Sequence, residues 1–411
     1  MSKPNILFIQ VDQLTATSLK AYGNDICRAP NLDRLADEGL VFQQAYCNFP
    51  LCSPSRASMA TGQLCSKIAA YDNAAELAAT IPTYAHYLSA AGYQTSLSGK
   101  MHFIGPDQHH GFEKRLTPDL YPADFAWAPY WGDEGERDTN DTRSVTTSGI
   151  CERSMQIDFD NLVTYSAIQH LYDMARSSDD RPFFMQVSYT HPHEPYLCRK
   201  EFWDLYKDVE IPLPDVPALP ITEHDPHSVR LLSDFGMLNV RFSNEDIRSA
   251  RRAYYGSISY LDEMIGNLLD TLEATGQMER TAIIFTSDHG EMLGENRLWG
   301  KSGWWDSSFH IPLILFIPVN CTRLLYTDKV YVKRKPDTDT DRDTDRGAVL
   351  GCSRCDLCRE LDLALGLIHA LNHARNRIEE RAAGGKGLKH NGAKEDGTAS
   401  VGHHELGHAT H

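Results

Sequence analysis

The stretch "NILFIQVDQ" (residues 5–13) is an almost continuous apolar run that ends in a carboxylate, Asp12. Such a run indicates a strand buried on both faces, as in a parallel sheet. Further short runs of strand-forming residues lie at 93–100, 182–191, 281–289 and 312–318. Amphipathic helical patterns lie between the runs, at 29–42, 80–92, 162–177 and 247–276. This alternation predicts an α/β fold in which helices cover both faces of a mostly parallel sheet.

Charged or imidazole side chains stand where four of these runs end. In chain order they are Asp12, then Lys100 with His102 just beyond, then His191 and His193, and finally Asp288 with His289. Ligands of open α/β sheets bind beyond the carboxyl ends of the strands. The sequence therefore predicts a functional site where these side chains meet at one edge of the sheet.

The bulk properties restrict the partners and the compartment. A net charge of -16 over 411 residues disfavours a nucleic-acid backbone as partner. No apolar run approaches the roughly 20 residues of a membrane span, and the N-terminus enters a strand without the pattern of a signal peptide. These features predict a cytoplasmic protein without a membrane partner, in which most of the ten cysteines are reduced thiols.

Asp12, Asp288 and His289 form a candidate metal site. Ligand sets rich in carboxylate oxygen favour hard cations such as Ca²⁺ or Mg²⁺. The alternative is that each aspartate only caps a turn or a helix. The metal site is favoured because the two aspartates end separate buried strands.

A set of basic residues accompanies these acids: Arg56, Lys100, His102, His193 and Lys301. Together with a metal ion, such a set suits a tetrahedral oxyanion, whose transfer depends on positioning and charge neutralisation. Each residue alone could be a solvated surface charge. Small and apolar neighbours in "SGKMHF" and "WGKSGWW" argue against that alternative for the two lysines.

The stretch "PLCSPSRASMATG" (50–62) places Cys52 close to Pro54, which is compatible with a first helical turn. A helix N-terminus favours bound anions and thiolates. The pattern C-x-P-S-R followed by T-G resembles the signature of the sulfatase family. The resemblance implies that a maturation enzyme oxidises Cys52 to Cα-formylglycine. In that family one hydroxyl of the hydrated aldehyde attacks sulfur and the alcohol leaves; deprotonation of the second hydroxyl reforms the aldehyde and expels sulfate.

The resemblance covers residues 4–318, and the sequence resembles the choline sulfatase subfamily more than the sulfatase family in general. It is carried by stretches such as "LSGKMHFIGPDQHHGF", "YPADFAWAPYW", "THPHEPY" and "TSDHGEMLGE". It implies an alkaline phosphatase-like sulfatase fold and hydrolysis of choline sulfate, with Ca²⁺ as the expected ion and Mg²⁺ or Mn²⁺ as alternatives. Gln13 stands where many sulfatases carry a second aspartate, and the choline sulfatase pattern also has Asp-Gln.

The resemblance also implies roles for individual residues. Asp12, residue 52, Asp288 and His289 would hold the metal. Arg56 would steady the formylglycine and the anion, and Lys100, His193 and Lys301 would bind sulfate oxygens. His102 would bond to the geminal diol and help to deprotonate it, while Asn73 would line the pocket.

Aromatic residues in "DFAWAPYW" suggest how the alcohol is recognised. Phe125, Trp127, Tyr130 and Trp131 offer ring faces, with Asp133 and Glu134 behind them. Rings and carboxylates suit a quaternary ammonium group through cation–π attraction. An ordinary aromatic loop is the alternative, and Trp127 is the first choice of choline contact.

The pattern changes after residue 318, so we expect a catalytic domain at 1–318 and a poorly ordered, low-complexity tail at 319–411. The family's usual C-terminal subdomain, which also supports its homo-oligomers, is missing or aberrant here. Metal-binding patterns in the tail lack the right context: "HELGH" (404–408), "CSRCDLC" (352–358) and "DTDTDRDTDRG" (337–347). The alternatives to a choline sulfatase are a phosphonate or phosphate ester hydrolase of the same superfamily and a truncated, inactive relative.

Overall fold

A computed structural model describes residues 3–121, 142–217 and 219–318. The strands in these residues are β1 (Asn5–Val11), β2 (Leu40–Val41), β3 (Gln94–Gly99), β4 (Lys114–Arg115), β5 (Gly149–Ile150), β6 (Phe183–Ser188), β7 (Leu197–Cys198), β8 (Thr281–Ser287) and β9 (Leu313–Phe316). The α-helices are α1 (Pro30–Glu38), α2 (Cys52–Thr61), α3 (Cys65–Ile68), α4 (Tyr84–Ala90), α5 (Arg143–Thr146), α6 (Met155–Arg176), α7 (Lys200–Asp204), α8 (Pro226–Asp234), α9 (Asn244–Ala274) and α10 (Asp306–Phe309).

Seven strands form one sheet in the order β2-β9-β8-β1-β6-β3-β4. The pairs β8-β1, β1-β6, β6-β3 and β3-β4 are parallel, whereas β9 runs antiparallel to both β8 and β2. β5 and β7 form a separate parallel pair. The predicted mostly parallel α/β sheet is therefore confirmed, with its antiparallel part at one edge.

Both faces of the sheet are covered, as the apolar run at 5–13 predicts. In β1, alternate residues such as Leu7 and Ile9 pack into a core cluster shared with α6 and α9. Ile6 and Phe8 point to the opposite face and pack with residues of α2 and α4. Because successive strand side chains point to opposite faces, every position in this strand is buried.

Local signals adjust the predicted helix bounds. α6 begins at Met155 rather than near 162, because the side chain of Ser154 caps its N-terminus and accepts a hydrogen bond from Ile157 N at 3.1 Å. The helical pattern at 29–42 ends earlier than predicted, at Glu38, since Gly39 follows. A Cβ at Gly39 would lie only 2.7 Å from the Leu315 carbonyl oxygen, so this contact between chain segments requires glycine.

Within the three described ranges, no helix combines the length and the apolar character needed to cross a membrane. The domain boundary near residue 318 stays a prediction, because the tail at 319–411 lies outside the described residues.

Candidate active site

Cys52 is the first residue of α2 and lies at the carboxyl edge of the central sheet. Its Sγ is 3.2 Å from His289 Nε2 and 3.8 Å from Asp12 Oδ1, and the residue is buried. Burial opposes ionisation of the thiol, but surrounding side chains lower the pKa of Cys52 well below its usual value. Those side chains are Lys100, Lys301, His289 and His102. The position is thus strongly favourable to an anion, as expected for a helix N-terminus beside cations.

Two strand ends bring carboxylates to this thiol. Asp12 follows β1 and Asp288 follows β8, which is the neighbouring parallel strand. Asp12, Cys52, Asp288 and His289 each offer one potential ligand atom, and these atoms lie within 4.8 Å of one another. Although burial and the Cys52 thiol oppose it, Lys100 and other nearby cations hold the pKa of Asp12 below its usual range. The carboxylate is therefore ionised and available to a cation.

The donor set fits a divalent metal ion. His289 Nδ1 donates to the carbonyl oxygen of Gly290 at 3.0 Å, which leaves Nε2 facing the two carboxylates. Such an outer hydrogen bond fixes the tautomer of a metal-binding histidine. Burial opposes protonation of His289, yet the carboxylate of Asp288 and the Cys52 thiol raise its pKa to about 9. The same anionic surroundings would favour a bound cation.

Arg56 lies one turn along α2 from Cys52 and is fully buried. Its Nε donates to Asp288 Oδ2 at 2.8 Å, and its second terminal nitrogen donates to Asp12 Oδ2 at 3.2 Å. The other terminal nitrogen donates to Lys100 O at 2.7 Å and to Ser188 Oγ at 2.8 Å. The planar guanidinium therefore joins the ends of four strands, which a single ammonium group cannot do with the same geometry.

Lys100 and His102 come from the segment that follows β3. The buried ammonium of Lys100 forms an ion pair with Asp12 Oδ2. The backbone N–H groups of Met101 and His102 donate to Asp119 Oδ2, at 2.9 and 2.8 Å. These bonds hold His102 in a left-handed backbone conformation, with φ of 61°, which is uncommon for a residue with a side chain.

Lys301 and His193 lie together on another side of the site. Lys301 Nζ donates to His193 Nε2 at 2.6 Å and also to the side-chain oxygen of Gln13. His193 Nδ1 donates to the Glu194 carbonyl oxygen at 2.7 Å, which fixes the imidazole. Asn73 is placed beside the start of α2, where its Oδ1 accepts from Ser53 N at 3.0 Å.

Three residues to which the sequence analysis gave no role also belong to this arrangement: Gln13, Glu194 and Glu291. The side-chain amide of Gln13 donates to carboxylates of both Glu194 and Glu291. Burial and the neighbouring Glu194 raise the pKa of Glu291 to about 7. Burial would also raise the pKa of Glu194, but His193 and Lys301 outweigh it and lower that pKa to about 2. Glu194 lies in the motif "THPHEPY" and Glu291 in "TSDHGEMLGE". Their position in these motifs is the sequence signal that could have identified them as site residues.

The predicted site residues within the described ranges converge at this edge of the sheet. They are Asp12, Cys52, Arg56, Asn73, Lys100, His102, His193, Asp288, His289 and Lys301. His191 is not one of them, because its imidazole is buried against Asp160, with Nδ1 2.6 Å from Oδ2. Trp127 and its aromatic neighbours at 125–134 lie outside the described residues.

Comparison with known proteins identifies relatives over most of the chain. The family model described as "Sulfatase" matches residues 4–329. A choline-sulfatase of Rhizobium meliloti (strain 1021) is 48% identical over 322 residues, which are 77% of this chain and 63% of that protein. The human iduronate 2-sulfatase is 34% identical over 340 residues, covering 76% of this chain and 60% of that protein. The chain therefore spans about three fifths of the length of these curated relatives.

Solved structures support the same fold. The phosphonate monoester hydrolase SpPMH of Silicibacter pomeroyi matches with a TM-score of 0.61 at 25% identity, over 77% of this chain and 68% of that one. A putative sulfatase of Bacteroides fragilis matches with a TM-score of 0.55 at 24% identity and the same two coverages. The latter likeness concerns the fold alone.

Proposed function

This chain belongs to the sulfatase family, and from that membership we propose that it is a sulfuric ester hydrolase that cleaves choline sulfate to choline and sulfate. One observation carries the proposal above the others: Cys52, within the motif C-x-P-S-R, begins a helix between paired carboxylates and buried cations. A thiol in that position is well placed to be replaced by an aldehyde hydrate, which can be regenerated after each turnover.

The metal would be held by Asp12, Asp288 and His289 together with residue 52, and Ca²⁺ is the expected ion. When bound, such an ion supplies charge neutralisation for an oxyanion and favours an ionised hydroxyl. Without the metal ion, the two carboxylates would weaken the binding of an anionic ester. The carboxylates and the metal thus form the side of the site that holds the nucleophile.

The basic residues would hold the sulfate group of the ester. Lys100, Lys301 and His193 present positive or hydrogen-bonding groups to the sulfate oxygens, and Arg56 fixes the carboxylates and the start of α2. His102, beside residue 52, would take the proton from the second hydroxyl of the diol as sulfate is expelled. The cost of gathering charge around the transition state is reduced because these groups are already in place.

Choline recognition is proposed to reside in the aromatic stretch around Trp127, which the family resemblance supports. The similar choline-sulfatase of Rhizobium meliloti supports the same substrate class. The proposal also requires an enzyme that converts Cys52 to formylglycine. We keep two further expectations as proposals: a catalytic domain at 1–318 and a cytoplasmic location.

A phosphonate or phosphate ester hydrolase is the second candidate. The likeness to SpPMH favours it, because that protein is a phosphonate monoester hydrolase of the same fold. The same cations suit a tetrahedral phosphorus centre. A truncated, inactive relative is the third candidate, and the divergent sequence of the tail at 319–411 favours it.

The test begins with the intact mass of the peptide that contains Cys52, because formylglycine is about 18 Da lighter than cysteine by atom counting. Turnover is then measured with three esters: choline sulfate, an aryl sulfate and a phenyl phosphonate monoester. Cys52→Ala is expected to abolish turnover of all three. Cys27→Ala is the matched control, since Cys27 is another buried free cysteine but contacts Tyr206 instead of the site.

The outcomes separate the candidates. Preference for choline sulfate supports the proposal, and preference for phenyl phosphonate supports the second candidate. A modified, metal-loaded protein that turns over none of the three esters would be an inactive relative. Full activity of Cys52→Ala would refute a formylglycine mechanism altogether.

A further inference from the structure

Two proposed site residues, Lys100 and His102, contact the same aromatic ring. The imidazole of His102 stacks on Tyr121, with ring centroids 4.7 Å apart and planes at 25°. The ammonium nitrogen of Lys100 lies 4.5 Å from the centroid of that ring. Stacked rings attract each other, and an ammonium is attracted to an aromatic face. The side chain of Tyr121 therefore contacts both Lys100 and His102, the two site residues that follow β3.

The backbone beneath these groups is held from the same segment. Asp119, two residues before Tyr121, accepts the N–H groups of Met101 and His102. Asp119 is itself paired with Arg115 at 2.8 Å, and both side chains are largely buried. The segment at 115–121 therefore contacts the segment at 100–102 through the side chains of both Asp119 and Tyr121.

We propose that Tyr121 is a positioning residue of this site: its ring holds the Lys100 ammonium and the His102 imidazole in the orientation in which they meet the ester. The proposal rests on the proposed function, since it assigns the two groups to the sulfate and the diol. An ammonium has three N–H donors and no acceptor. Asp12 accepts one of the N–H groups of Lys100, and the face of the Tyr121 ring attracts the ammonium. A further N–H of Lys100 can then be donated to a substrate oxygen.

The contacts with His102 and Lys100 described above are contacts of the Tyr121 ring. Burial raises the pKa of Tyr121, and although Lys100 opposes the rise, the Cys52 thiol and Asp12 add to it. A neutral phenol adds no charge to a site that already balances carboxylates against ammonium groups. The predicted contribution is therefore retained by phenylalanine and lost with an aliphatic side chain.

The experiment compares Tyr121→Phe with Tyr121→Leu in the full chain, loaded with Ca²⁺. Two readouts are used: kcat and KM on choline sulfate and on an aryl sulfate, and the affinity for inorganic sulfate by calorimetry. Tyr93→Leu is the control, because Tyr93 is a buried tyrosine that also faces a lysine ammonium, at 5.8 Å, but at the far end of β3. Thermal unfolding of each variant checks that it is folded.

Tyr121→Leu is expected to lower kcat/KM by about tenfold or more on both esters and to weaken sulfate binding in parallel, while Tyr121→Phe stays within about threefold of the original. Tyr93→Leu is expected to change stability but neither kinetic readout. Unchanged sulfate affinity in a folded Tyr121→Leu protein would overturn the proposal. Equal losses in the Phe and Leu variants would overturn it as well, since they would assign the effect to the hydroxyl.

Failure of the proposed function is recognised separately. In that case the unmutated protein turns over no sulfate ester, and the calorimetric comparison of the folded variants alone decides the role of Tyr121. Weaker sulfate binding by Tyr121→Leu alone supports the positioning role, and equal binding by all variants refutes it.

Discussion

Replacing Arg56 with methionine is expected to destabilise the fold strongly. The guanidinium is fully buried and donates to the carboxylates of Asp12 and Asp288, to the Lys100 carbonyl oxygen and to Ser188 Oγ. Methionine is unbranched and apolar but shorter and uncharged, so it removes all four hydrogen bonds and leaves two carboxylates with one cation fewer. Breaking a buried ion pair from one side costs about 3–5 kcal/mol, because the remaining charge stays buried without compensation.

The structure supports the upper half of that range in the absence of metal. Two carboxylates lose a partner at once, and burial already opposes ionisation of Asp12. Ca²⁺ should offset part of the loss, because a divalent ion bound between the carboxylates stabilises only the folded state. Arg56→Lys should cost less, since it keeps the charge but cannot reproduce the forked hydrogen bonds.

Urea unfolding with and without Ca²⁺ measures these differences. Arg153→Met is the matched control, because Arg153 forms an ion pair with Asp158 at 2.9 Å on the protein surface. Its urea midpoint should not change measurably. A cost below about 1 kcal/mol for Arg56→Met would refute the reasoning, since it would mean that the carboxylates find other compensation or are protonated.

Three further predictions address the metal, the substrate and the pH dependence. Asp288→Asn should lower turnover by about 10²-fold or more, and chelation of the unmutated protein should do the same; an active, metal-free preparation would contradict this. Trp127→Ala should lower kcat/KM for choline sulfate by roughly 5- to 30-fold and leave an aryl sulfate almost unaffected; equal losses would indicate a packing residue. Burial raises the pKa of Asp262 to about 6, although the carboxylate accepts N–H bonds from Asn31 and Leu32. The folded state therefore binds the Asp262 proton more tightly than the unfolded state does, and this stabilisation is lost as the pH rises through about 6. Between pH about 4 and about 7, the unfolding free energy of the wild type relative to that of Asp262→Asn should fall by about 1–3 kcal/mol. A relative stability that rises over this range would contradict that sign.

The sequence predicts the strands and the edge at which the site lies, because both depend on local pattern. An apolar run followed by Asp12, and another followed by Asp288, place two carboxylates at the carboxyl ends of parallel strands. Cys52 before Pro54 likewise predicts a helix start, and α2 begins there. Strand order is not contained in such patterns, since the neighbours of β1 are β6 and β8, far along the chain.

The network behind the site could not be predicted for a similar reason. Gln13 takes a left-handed backbone conformation, with φ of 64°, and its side chain meets Glu194, Glu291 and Lys301 from distant segments. No spacing rule in one sequence reports such contacts. Tyr121 is a further case, because its role depends on a ring lying over residues about twenty positions earlier in the chain.

The distribution of charge links metal binding to substrate binding. Asp12 and Asp288 lie beside residue 52, and the ammonium groups of Lys100 and Lys301 also act on it. A sulfate ester brings a negative charge toward the carboxylates, so they oppose the attraction of the lysines unless a divalent cation neutralises them. A cation should therefore tighten sulfate binding, and by thermodynamic reciprocity sulfate should tighten cation binding by the same factor. Arg56 limits the size of this coupling, because its buried guanidinium already neutralises part of the carboxylate charge in the metal-free protein.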